Sequence, residues 1–67
     1  MENIIINKKD ETIEAEGIKI VGYDKTFGFC MDLESIRKIQ EGHYKKQTLD
    51  YLEDLYYMVF VTGIENY

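Results

Sequence analysis

A chain of 67 residues, 45% of them hydrophobic, holds the material for one small core and little beyond it. Thirteen acids against eight lysines and arginines leave a formal net charge of −5, which opposes generic attraction to nucleic-acid phosphates and anionic membranes. The single cysteine, Cys30, excludes an intrachain disulfide, and the longest apolar run, Leu55–Val61, is far short of the ~20 residues of a membrane-spanning helix. An acidic start followed by three isoleucines does not read as a signal peptide, so a cytoplasmic protein is expected.

With no proline, no Ser/Gly linker and no repeat, residues 1–67 read as one domain, with a sheet half over 1–31 and a two-helix half over 32–62. Asn3–Asn7 reads as a first strand, closed by the polar turn Lys8–Glu11. Thr12–Gly22 reads as a second, with Gly17 marking a bulge or a break where the alternation changes phase. Tyr23–Thr26 supplies a hairpin loop, after which Phe27, Phe29 and Met31 share one strand face at period two. A three-stranded antiparallel meander is the expectation, with a fourth strand as the alternative.

Helical punctuation begins at Asp32, a good N-cap, with Glu34 in the first turn where the helix dipole favours an anion. Leu33, Ile36 and Ile39 form the apolar stripe of a helix over 33–41, and Gly42 is its natural terminator. A second helix is capped by Thr48 and stopped at Gly63, where Val59 and Ile64 would form the apolar pair of a Schellman motif. On it Leu49, Leu52, Tyr56, Val59, Phe60 and Gly63 share one face. The stretch Tyr56–Val61 has high β-propensity, which leaves a buried strand as the alternative, but the caps at both ends agree on helix. The fold class is therefore α+β: a small three-stranded antiparallel sheet packed on one face by two C-terminal helices.

Once the core has taken its share of the second helix, Asp50, Glu53, Asp54, Tyr57 and Val61 remain on the outward stripe. Tyrosine offers a large contact area with a hydrogen-bonding tip, so an acid-and-tyrosine stripe suits a protein partner or a second copy of the chain. A secondary acidic face is expected from Asp10, Glu14 and Glu16, which with Thr12 would alternate along one strand at ~6.6–6.8 Å. That spacing approaches the interval between phosphates and suggests an acidic mimic of nucleic acid, set against the plainer reading of a solvated strand face with charges that block edge pairing.

Lys25-Thr26-Phe27-Gly28-Phe29-Cys30-Met31 resembles the core of the RNP1 motif of RNA-recognition motifs and cold-shock domains. Lys25, Phe27, Gly28 and Phe29 match; Thr26 replaces the usual glycine and Asp32 stands where a further aromatic is expected. The resemblance covers about a tenth of the chain, no RNP2-like strand accompanies it, and it implies that Phe27 and Phe29 stack on single-stranded bases. Arg37, Lys38, His43, Lys45 and Lys46 make a small basic patch, which reads as a solvated connector. His43 has no spaced partners for a metal, Cys30 sits among apolar residues, and no glycine-rich phosphate loop exists, so no catalytic residue, metal or cofactor is expected. The expected function is a small non-enzymatic regulator or inhibitor of another protein, of the type carried by phages and mobile elements. Homodimerisation through the second helix is compatible with it, and direct nucleic-acid or membrane binding is not expected.

Overall fold

The computed structural model describes residues 3–63. Four strands, not three, form an antiparallel sheet in the order β1 (Ile5–Asn7), β2 (Thr12–Ala15), β3 (Ile18–Asp24) and β4 (Gly28–Met31). Helices α1 (Leu33–Gln40) and α2 (Lys46–Tyr56) follow, and α2 runs on into a π-helical turn, Tyr57–Val61. No helix among the described residues is long and apolar enough to cross a membrane.

The extra strand arises at Glu16-Gly17. Both residues have positive φ, +52° and +82°, the backbone a two-residue type I′ hairpin requires, and Ala15 pairs with Ile18 across it. Gly17 is also crowded: a Cβ there would lie 2.7 Å from Lys38 Nζ, which donates to the Gly17 carbonyl at 3.1 Å. The other two hairpins are closed by side chains acting as acceptors. Asn7 Oδ1 accepts from the Asp10 amide at 2.9 Å, and Asp24 Oδ2 accepts from the amides of Thr26 and Phe27 at 2.9 and 2.8 Å. Phe27 therefore belongs to the turn, 88% exposed, and does not share a strand face with Phe29 and Met31.

One irregularity sets which residues face the helices. Ile20 pairs with Met31, yet Gly22 pairs with Cys30, so Val21 is an extra residue in β3. A bulge of this kind reverses the alternation. Ile18 and Ile20 are buried beneath the helices, and beyond the bulge Tyr23, opposite Phe29, joins the same side.

The core is Ile13, Ala15, Ile18 and Ile20 from the sheet against Leu52, Tyr56 and Val59, with Phe29, Met31, Ile39, Leu49 and Phe60 packed around them. The apolar face expected of the second helix is the face that is buried, and residues 56–61 are helical. Its start differs. Thr48 does not cap: α2 begins at Lys46, and the Thr48 hydroxyl, buried, donates to Glu16 Oε1 at 2.9 Å. The Tyr56 hydroxyl is spent similarly, donating to the Glu11 carbonyl at 2.9 Å.

Both helical segments end at a left-handed glycine, as expected, and they are closed by different bonds. The Schellman stop lies at α1, where His43 N–H reaches the Lys38 carbonyl at 2.7 Å and Gly42 N–H the Ile39 carbonyl at 3.1 Å. Gly42, at φ +79°, supplies the left-handed residue this geometry needs. At the end of α2 the closing bond is instead wide, Thr62 N–H to the Tyr57 carbonyl at 2.8 Å. Gly63 is left-handed as expected, but the proposed Val59–Ile64 pair lies outside the described residues.

For α1 the cap is as read and the face is not. Asp32 Oδ1 accepts from the Ser35 amide at 2.9 Å, and hydrogen bonds from the side chain and amide of Ser35, with Lys19 and Lys38 nearby, hold the Asp32 carboxyl below the usual carboxylate range. Of the expected stripe only Ile39 packs on the core; Leu33 is 84% and Ile36 38% exposed. The buried residue is Ser35, whose Oγ accepts from the Lys19 amide at 2.8 Å. β4 ends opposite Ile20, so the Lys19 amide has passed the end of its neighbouring strand, and the serine hydroxyl continues the ladder.

Candidate functional site

The tip of the β3–β4 hairpin and the C-terminal half of α2 converge on an open cleft of about 540 Å³, lined by Tyr23, Phe29, Glu53, Asp54, Tyr57 and Met58. The sequence brings these together through two local devices. The bulge at Val21 turns Tyr23 toward the helices, and the spacing 53/54/57/58 places two acids one turn before Tyr57 and Met58.

The rings form one connected series. Tyr57 meets Tyr23 edge to face at 5.4 Å and 90°, Tyr23 meets Phe29 at 4.9 Å, Phe29 meets Tyr56 at 6.3 Å and 90°, and Tyr56 meets Phe60 at 4.9 Å. The series starts at the surface, where Tyr23, Tyr57 and Met58 are each more than a third exposed, and ends in the core, where Tyr56 is buried. Edge-to-face pairs of this kind contribute about 0.5–1.5 kcal/mol beyond their area. The cleft is thus joined to the core by an unbroken series of ring contacts.

Its electrostatics are one-sided. Glu53 and Asp54 line it, and among the described residues no lysine or arginine does. The Glu53 pKa is raised, first by burial, then by repulsion from Asp50 and Asp54, with Lys46 opposing. Burial likewise raises the Tyr56 hydroxyl, with Glu11 and Cys30 adding to it.

The expected outward stripe is divided. Glu53, Asp54 and Tyr57 meet in the cleft, while Asp50 pairs with Lys46 at 3.4 Å and Val61, 40% exposed, lines a separate depression beside Lys8 and Glu11. Tyr23, Phe29 and Met58 are the cleft residues that the sequence reading did not place there. The usable signal was Gly22, a glycine within a strand at a change of phase.

The secondary acidic face does not form. Of its members only Glu14 lies on a strand, opposite Lys19; Asp10 sits in the β1–β2 turn, and Glu16 in the β2–β3 turn accepts from Thr48 with Lys45 at 3.9 Å. Hence no row of evenly spaced carboxylates runs along β2. The RNP1-like pair is divided too, since Phe27 is in a turn and Phe29 packs toward Tyr56. The basic connector is answered locally: Arg37 pairs with Glu34, His43 Nδ1 lies 3.4 Å from Glu41, and Lys38 is on the Gly17 carbonyl.

A larger depression of about 780 Å³ lies at the other end of α2, among Asn3, Ile4, Glu16, Lys45, Gln47, Thr48 and Tyr51. It is the weaker candidate because Glu16, Lys45 and Thr48 already answer one another. Among the described residues no group of three His, Cys, Asp or Glu side chains is placed to hold a metal ion, and Cys30 is exposed on β4. Comparison with protein-family models, curated proteins and solved structures finds no match for this chain.

Proposed function

We propose that this chain is a non-enzymatic protein-binding regulator or inhibitor, and that the cleft between α2 and the β3–β4 hairpin is its contact surface. The observation that supports this most is the exposure of Tyr23, Tyr57 and Met58 around a preformed apolar floor. Tyrosine and methionine are enriched at protein interfaces, and rings already held by one another lose little entropy on docking. Glu53 and Asp54 supply a polar rim, so the partner surface is basic. Two copies meeting cleft to cleft would oppose these acids to their own counterparts, which disfavours self-association through this face.

The test is affinity capture from native lysate with the intact chain, compared with Tyr57→Ala and Asp54→Arg. A partner held by the wild type and lost by both variants, each with an unchanged circular dichroism spectrum, is expected. A partner held equally by all three would place the contact elsewhere. Light scattering on the free protein should give a monomer, and a dimer abolished by Tyr57→Ala would replace this reading with self-association.

A further inference from the structure

Resting on that reading of the cleft, we infer that its occupant is an arginine side chain of the protein partner. Tyr23 and Tyr57 stand at 90° with centroids 5.4 Å apart, so their rings make two walls of a corner. Phe29 and Met58 complete the apolar lining, and among the described residues Glu53 and Asp54 are its only ionisable groups besides the two phenols. Aromatic walls attract a cation through the ring quadrupole within about 6 Å of a centroid. The carboxylates attract the same cation by charge and accept its hydrogen bonds.

Arginine fits this combination better than lysine. A guanidinium can lie flat on one ring while its N–H groups point in-plane at a carboxylate; an ammonium is a compact, strongly hydrated point charge. The three-carbon stem would lie along Phe29 and Met58, where an apolar stem is favourable and a shorter polar side chain would leave the floor bare. Among the described residues that line the cleft none is a base to neutralise Glu53 and Asp54, and Lys46, whose charge acts on Glu53, is itself paired with Asp50. An incoming guanidinium therefore relieves an acid pair that Lys46 offsets only in part. The overall charge of −5 adds long-range attraction for a basic partner.

The experiment is an NMR titration of the intact protein with N-acetyl-arginine methylamide, its lysine analogue and its citrulline analogue, a neutral isostere. Saturable shifts confined to Tyr23, Phe29, Met58 and the 53–57 segment are expected with arginine. They should be weaker with lysine and absent with citrulline. The double variant Glu53→Gln/Asp54→Asn keeps the shape and removes the charge, and should weaken arginine binding by about tenfold or more, a loss of about 1.4 kcal/mol. Citrulline binding as well as arginine, or arginine producing no saturable shift in the cleft, overturns the inference. In either case, lysate capture that still depends on Tyr57 and Asp54 leaves the protein-binding reading standing with a different occupant. Capture indifferent to both variants removes the protein-binding reading itself, whatever the titration shows.

Discussion

The two helices have similar amphipathic patterns and bury their faces by different rules. α2 crosses the sheet and buries Leu52, Tyr56 and Val59, the residues its spacing puts on one side. α1 leaves Leu33 at 84% exposure and buries Ser35 at 1%. The difference is what each helix meets. α2 meets a closed apolar face, where the orientation that removes most hydrocarbon from water wins at roughly 25 cal/mol per Å². α1 follows β4 after the single residue Asp32 and lies where that strand would have continued, beside an amide that needs an acceptor. Leaving the Lys19 amide buried and unpaired would cost about 1–3 kcal/mol, comparable to the gain from burying a leucine. With the energies close, the short connection decides, and the serine points inward.

This contrast can be broken most directly at its two leucines. Leu52→Ala should cost about 3 kcal/mol in denaturant unfolding, the scale of a leucine deletion in a close-packed core. Leu33→Ala should cost no more than about half a kcal/mol. Equal costs would mean that α1 packs by its apolar stripe after all.

The serine gives the next largest effect. Ser35→Ala should lose about 1–2 kcal/mol and speed hydrogen exchange at the Lys19 amide, because that donor is left without its acceptor. An unchanged exchange rate would remove the hydroxyl from its place in the ladder.

Asp32 sharpens the comparison through pH. Its carboxyl titrates lower in the folded chain than its ordinary value of 3.8, so the ionised form favours folding. That contribution is present above about pH 4 and is lost as pH falls through the folded pKa. Asp32→Ala should therefore cost about 1 kcal/mol near neutrality, the scale of an N-cap, with a difference from wild type that narrows in acid. A pH-independent difference would show that the cap acts without its charge.

Glu53 has the opposite sign and the smallest effect. Its folded pKa is raised, so its contribution is most favourable when protonated and turns unfavourable as pH rises through that value. Glu53→Gln should stabilise the free protein by a few tenths of a kcal/mol at neutral pH, about the size of a like-charge pair one turn apart. A loss of stability would mean that Glu53 has a favourable partner in the unbound protein.

Much of the local punctuation was readable because it depends on neighbours in sequence. Asp32 as a cap, Gly42 as a stop and the buried side of α2 each follow from residues within a turn or two. The fourth strand was harder to read. Type I′ loops favour Asn-Gly or Asp-Gly, and here a glutamate takes the first left-handed position, a residue that gives no such signal. Thr48 misled for a related reason: a threonine before an apolar run is a sound cap signal, and only Glu16, 32 residues earlier, draws its hydroxyl elsewhere. The site was half legible. Glu53, Asp54 and Tyr57 follow from helical spacing, whereas Tyr23 reaches them only through a bulge that reverses strand parity.

By itself, the sequence determined an α+β fold with a sheet half and a helical half, the side of α2 that enters the core, and a stretch from residue 47 onward that holds acids and no lysine or arginine. These follow from composition, periodicity and caps, which act over a few residues. Tertiary structure decided the strand count, the rotation of α1 and the assembly of the cleft. Each of those turns on a backbone group or a side-chain direction whose partner is distant in sequence: the Lys19 amide met by Ser35, the Glu16 carboxylate met by Thr48, and the Tyr23 ring turned by one extra residue toward Tyr57.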